Sequence, residues 1–226
     1  MNRDLSEIIT AYATKTHSEL SQLMIGKSKD NLISCLNDLL TVYMNDKNSS
    51  SLREYITVTV AGYKHNAAKL GYNGFKHSDE IGAKPVNCEA KPKNIQTEGY
   101  DSRTTKPKLN ADGSFNDYTY KRLNADIEEN FNLLCSGFID GELHYIIEFP
   151  FAVIAPRMKY NLDKKFNGKQ PKGIYLRSSS FNFSHIENSS LLKIIYLNKE
   201  AVERNKKYFN GKFYDYLMLQ QYDEIY

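Results

Sequence analysis

Between residues 77 and 93 the chain reads His-Ser-Asp-Glu-Ile-Gly-Ala-Lys-Pro-Val-Asn-Cys-Glu-Ala-Lys-Pro-Lys. Gly82-Ala83-Lys84-Pro85 is a turn signal, so the flanking segments, near Gly74–Ile81 and Val86–Lys91, are predicted to pair as a hairpin. Residues two apart on a strand share a face. Glu89 and Lys91 therefore project together, with Cys88, Ala90 and Pro92 on the other side. Asp79, ten residues before Glu89, is expected to approach the same end of the hairpin. Two carboxylates and one ammonium around a point suit a divalent metal beside a water molecule, the equipment for cutting a phosphodiester.

The 226 residues are enough for one well-cored domain or two small ones. A mean hydropathy of −0.57 and the lack of a long apolar run argue against a membrane protein. The first residues, Met-Asn-Arg-Asp-Leu-Ser-Glu, lack the apolar stretch of a signal peptide. Cys35, Cys88 and Cys135 are odd in number and scattered, which suits buried thiols in a reducing cytoplasm better than disulfides or zinc. A formal net charge of +3 permits a nucleic-acid partner without requiring one. Its distribution says more. Lys84, Lys91, Lys93, Arg103, Lys106 and Lys108 stand against Glu89, Glu98 and Asp101, so basic residues flank the motif.

Apolar spacing predicts a helix over 4–23 and, after Gly26, a second from a Ser28 cap to about Tyr43. The β-branched run 55–61 reads as a strand, followed by the hairpin strands. Residues 92–115 read as a polar loop too long to be a mere connection. Asn116 or Asp117 is then expected to cap a helix to about Asn130, with Leu123 and Ile127 inward. Leu133–Ile139 and Leu143–Phe149 form a hairpin about Asp140-Gly141. A short helix over 155–166 follows, then strands at Ile174–Phe183 and Leu191–Leu197, the latter expected to be fully buried. Residues 199–209 read as a helix.

This order and motif resemble the PD-(D/E)xK nuclease superfamily, best known from type II restriction endonucleases. The resemblance implies an α/β fold, a mixed sheet flanked by helices with core order αβββαβ, over about 28–151 of a single nuclease domain. Helix 4–23 would precede that core, and 152–226 would extend the sheet or recognise DNA. In the family the first acid sits near the start of the second core strand and Glu-any-Lys on the third. Carried over, Asp79 and Glu89 are metal ligands, Ala90 adds its backbone carbonyl, and Lys91 orients or activates the attacking water. Mg²⁺ is the implied cofactor. Ser78 replaces the family's proline, and Glu80 competes with Asp79 for the first-ligand role. Glu54, just before the first core strand, and Glu19 are candidates for an additional acid. The implied activity is site-specific cleavage of double-stranded DNA by a cytoplasmic homodimer. The alternatives are a less specific nuclease of the same fold, a non-catalytic DNA-binding module, and an unrelated α+β protein whose hairpin imitates the motif.

Lys93, Asn94, Gln96, Arg103, Lys106, Lys108 and Asn110 carry the donors and acceptors that DNA contacts need, as do Arg177, Ser179 and Asn182. A surface loop and a plain edge strand explain these two segments nearly as well. Asp163-Lys-Lys165 repeats the acid-any-lysine pattern in a helical stretch, where a solvated face is the better reading. Asp140, Glu148 and His144 read as structural.

Overall fold

The computed structural model describes residues 3–44, 50–66, 71–77, 83–95, 97 and 108–220, with the side chains of 40–44 left aside. The expected helix 4–23 is two helices, α1 (Arg3–Thr14) and α2 (His17–Ile25). Extended backbone at Thr16 divides them, and Thr16 and Glu19 form a reciprocal capping box that starts α2. Ser28 begins α3 (Lys29–Met44) as expected, its hydroxyl accepting from the Asn31 N–H at 3.2 Å.

The run expected as a strand at 55–61 is instead helix α4 (Ser51–Val60). Tyr55, Ile56, Thr57 and Val58 are all buried, so the segment is apolar around most of its circumference, and alternation does not describe it. The Thr57 hydroxyl lies 2.7 Å from the Arg53 carbonyl one turn back and 2.6 Å from the Ser136 hydroxyl in the sheet. Tertiary packing outweighs β-branched propensity here.

The protein is mixed α/β, with a mostly antiparallel sheet flanked by helices. The strands are β1 (Lys64–His65), β2 (Gly74–Lys76), β3 (Val86–Ile95), β4 (Gly113–Tyr118), β5 (Asn132–Ile139), β6 (Glu142–Pro150), β7 (Leu176–Phe181) and β8 (Lys193–Leu197). Six of them form one sheet in the order β1-β2-β3-β5-β6-β8, in which β3 and β5 are parallel and every other pair antiparallel. Strands β4 and β7 pair separately as a two-stranded ribbon.

Side-chain alternation gives the sheet two apolar faces. Cys88, Ala90, Leu134, Phe138 and Ile146 pack with residues of α1 and α4. Leu133, Cys135, Tyr145, Ile147 and Phe149 pack toward the later elements and the ribbon. Those elements are α5 (Tyr120–Glu129), α6 (Ala155–Phe166), α7 (Lys199–Arg204) and α8 (Gly211–Leu219). The cap of α5 is Thr119, because Asn116 and Asp117 belong to β4. Leu123 is buried as expected, but Ile127 is 48% exposed. Asp126 takes the inward position, accepting from the Tyr118 hydroxyl at 2.8 Å and from Arg122 Nε at 3.0 Å. Strand β8 lies at the edge of the sheet, and of its residues only Leu197 is buried. The expected helix 199–209 closes after Arg204 and continues as a 3-10 turn at Lys206–Tyr208. Among the described residues no helix is long and apolar enough to cross a membrane.

His144 on β6 is buried. Its Nδ1 lies 2.8 Å from the Glu142 carbonyl and its Nε2 2.9 Å from the Asn205 amide nitrogen. Nδ1 therefore donates and Nε2 accepts, which is the neutral imidazole. Burial holds His144 below the ordinary value of 6.5, and burial lowers His65 and His185 in the same way. Unfolded, each takes a proton near pH 6.5, while the folded protein resists it. The stability is therefore whole above that pH and is lost as pH falls from there toward the folded values. Thermal unfolding at pH 7.5 and pH 5 is expected to show lower stability in acid. His144→Gln should flatten that dependence, and an unchanged slope would count against the assignment.

Candidate active site

Strand β3 is ten residues long and bears the motif. Cys88 and Ala90 are buried in the α1–α4 layer, while Glu89, Lys91 and Lys93 share the opposite face with the buried Ile95. Lys91 Nζ donates to Glu89 Oε1 at 2.9 Å and stands 4.4 Å from the centre of the Phe115 ring on β4. Gly113 makes that approach possible. A Cβ there would meet a Phe181 ring carbon at 2.8 Å and Lys91 Cγ at 3.0 Å.

Strand β2 begins at Gly74, opposite Cys88, and Lys76 pairs with Val86. Its start, rather than its end, is therefore the part nearest Glu89. Asn73 stands just before that start and bridges two elements. Its Oδ1 accepts the Ala90 N–H at 2.8 Å, and its Nδ2 donates to Glu54 Oε2 at 3.1 Å. The N–H and C=O of one strand residue point to the same edge, so the Ala90 carbonyl faces the edge that Asn73 joins to Glu54. Glu54 comes from the first turn of α4.

Glu54, Glu89, Lys91 and Lys93 line a single cavity of about 700 Å³, together with Lys108, Asn110, Asp112 and Asn182. Its far wall is pinned by the C-terminal region. The Leu109 N–H donates to the Tyr208 carbonyl at 2.8 Å, and the Asn210 N–H donates to the Leu109 carbonyl at 2.9 Å. Ala111, at φ 45°, donates its N–H to the buried Tyr145 hydroxyl at 3.3 Å.

Glu54, Glu89, Ala90, Lys91, Lys93, Lys108, Asn110 and Asn182 are thus brought to one cavity. Asp79, Glu80, Gln96, Arg103 and Lys106 lie outside the described residues. Lys93 donates to both oxygens of Asp112, at 2.8 and 2.7 Å, and to the Lys108 carbonyl at 3.0 Å, so its charge is already matched. Asn94 is at the far end of β3, where its Oδ1 accepts the Gly141 N–H at 3.2 Å and supports the β5–β6 turn. Ser179 is a correction. It is fully buried, its hydroxyl contacting Met158 sulfur and the Asn161 amide, and Ser178 and Ser180 are the exposed neighbours. Glu19 serves the α2 capping box and does not line this cavity. Glu148 accepts from the Tyr63 hydroxyl at 2.9 Å, a structural role as read. Asn73 and Asp112 were not singled out from the sequence, because each looks like an ordinary turn residue beside a glycine.

The donors here are carboxylate and carbonyl oxygens, the hard ligands that Mg²⁺ takes, and Mg²⁺ commonly uses only one or two carboxylates plus substrate phosphate. Glu54, Glu89 and the Ala90 carbonyl fit that description. Among the described residues, no group of three or more His, Cys, Asp or Glu side chains is placed to hold a metal. The thiols stand apart from this chemistry. Cys35, Cys88 and Cys135 are buried, and burial raises each above the ordinary thiol value, so they stay protonated. No protein-family model matches the chain, and a search of curated proteins finds no match either.

Proposed function

We propose that the chain is a Mg²⁺-dependent endonuclease that cleaves double-stranded DNA at specific sites, with a core of the restriction-endonuclease type. The observation that carries this reading is the cavity that Glu89 and Lys91 on β3 share with Glu54 on α4. The element order supports it: α4, β1, β2, β3, α5 and β5 follow one another, with the β4 arm interposed and β3 parallel to β5.

Glu54, Glu89 and the Ala90 carbonyl would hold the metal. When bound, Mg²⁺ supplies Lewis acidity toward a phosphoryl oxygen and a water of lowered pKa. The protein's own groups do the rest. Lys91, fixed between Glu89 and the Phe115 face, would present its ammonium to the attacking water and to the negative charge that develops on the phosphoryl oxygens. Lys108, exposed at the cavity rim, is available to a backbone phosphate. Two strands and a palindromic target would be served by a homodimer with one such site per protomer.

A DNA-binding module without cleavage is the second reading, favoured by one observation: the residue beside Glu89 at the start of β2 is a neutral amide, Asn73. Incubating the protein with long unmethylated duplex DNA in Mg²⁺ or EDTA separates the two. Discrete fragments that require Mg²⁺ support the endonuclease. A smear supports a less specific nuclease, and tight binding with intact DNA across several metals leaves only the binding module.

A further inference from the structure

We infer that the β4–β7 ribbon is the element that reads base edges, entering the major groove of the duplex whose backbone lies across the Glu89–Lys91 cavity. This rests on the endonuclease reading and goes beyond it, since it names the recognition surface and the base it selects.

The ribbon has two unlike faces. Phe115, Tyr118 and Phe181 turn inward and are buried with the sheet. Outward stand two directly opposed pairs, Ser114 with Ser180 and Asn116 with Ser178, all four exposed. Every one of these side chains is short and neutral, with both donor and acceptor capacity. Short side chains let a ribbon approach base edges closely, and the exposed charges of the ribbon, Asp117 and Arg177, stand beside these pairs. The major groove admits a two-stranded β-ribbon. The charges that would meet phosphate lie on the flanks: Arg177 on β7 is exposed, and Arg157 on α6 is half-buried, its guanidinium 5.2 Å from the centre of the Tyr160 ring. The ribbon is also held in place. Asn161 of α6 donates to the Ser180 carbonyl at 3.0 Å and to the Ser179 hydroxyl at 3.0 Å. Its outer face runs into the cavity, because Ser114 and Ser180 line it together with Glu89 and Lys91. A duplex placed against the carboxylates therefore meets the ribbon next.

Of the four outward groups, Asn116 has the geometry for a bidentate contact, and its amide matches the N6 and N7 edge of adenine. The recognition sequence should accordingly contain an adenine read by Asn116, with Ser178 contacting the neighbouring base.

The test is selection from a randomised duplex library by the full-length protein in Ca²⁺, with the bound DNA sequenced, alongside a cleavage assay in Mg²⁺. The wild type is expected to enrich a motif that includes adenine. Asn116→Ala should lose the preference at that base pair, by roughly 5- to 140-fold, the range one bidentate contact supplies. The rest of the motif and the affinity for unrelated DNA should be kept. Ser178→Ala should change an adjacent position. Both residues are exposed, so neither change threatens folding, and thermal unfolding verifies it. An unaltered motif in both variants overturns the ribbon assignment. Cleavage without any sequence preference in the wild type also overturns it while the nuclease reading stands. Absence of both binding and cleavage removes the two together.

Discussion

Lys91→Ala is expected to slow DNA cleavage by about 10²- to 10³-fold in protein that still folds, the loss seen when one donor aimed at developing charge is removed. The ammonium is positioned by three residues on two strands. Glu89 accepts from it at 2.9 Å, the Phe115 ring lies 4.4 Å below, and Gly113 leaves space for its stem. The Lys91–Glu89 side chains are only 18% and 19% accessible, so removing the ammonium leaves a largely buried carboxylate unpaired and lowers stability as well as rate. Lys91→Arg should not restore the rate, because a planar guanidinium does not place charge where a point ammonium does. Glu89→Gln should lose activity comparably. Single-turnover cleavage beside thermal unfolding checks all three. A Lys91→Ala protein that cleaves within about threefold of wild type would remove Lys91 from the chemistry.

The largest expected effect on stability comes from Gly137→Ala. A Cβ at Gly137 would lie 2.2 Å from Tyr145 Cε1, 2.7 Å from Cζ and 2.9 Å from Cδ1. Tyr145 has no room to yield, since it is 1% exposed and packs edge-on to Phe213 at 4.8 Å between ring centroids. The β5–β6 register shifts between Gly137 and Phe138, so the ladder is already bent to seat that ring. Overpacking of this kind costs about 1–3 kcal/mol, and more where the neighbour is fixed. For a chain of this size that lowers Tm by roughly 2–4 °C per kcal/mol. The colliding atoms belong to the ring rather than the hydroxyl, so adding Tyr145→Phe should not rescue it. The effect should reach the site as well, because the Tyr145 hydroxyl receives the Ala111 N–H in the cavity wall. Thermal melts of the single and double variants decide this. A Gly137→Ala protein as stable as wild type would mean that β6 can move away from β5.

Some of this was legible in the residues. The face shared by Glu89 and Lys91, with Cys88 and Ala90 turned inward, follows from the two-residue period of a strand, and the structure shows it. The β5–β6 hairpin about Asp140-Gly141 and helix α6 over 155–166 were equally plain, since a turn signal or a 3.6-residue spacing is a local property. The run at 55–61 misled because β-branched residues look the same whether the partners that bury them suit a strand or a helix. Within the helix the Thr57 hydroxyl is satisfied by the Arg53 carbonyl and the Ser136 hydroxyl, so the buried face tolerates it. Ser179 was singled out beside its two serine neighbours because composition does not tell which member of a run faces inward.

Local geometry can be read from the residues. They specify where the chain turns, which residues alternate on β3, and that acid and lysine stand on one face two positions apart. The tertiary structure alone decided what meets that face. Glu54 and Asn73 reach the edge of β3 from positions 35 and 16 residues before Glu89, and Asp112 closes on Lys93 from a different segment. Those meetings depend on the order in which strands pair and on which helix covers which face. Such choices are made by burial summed over the whole sheet, and no short window of sequence records them.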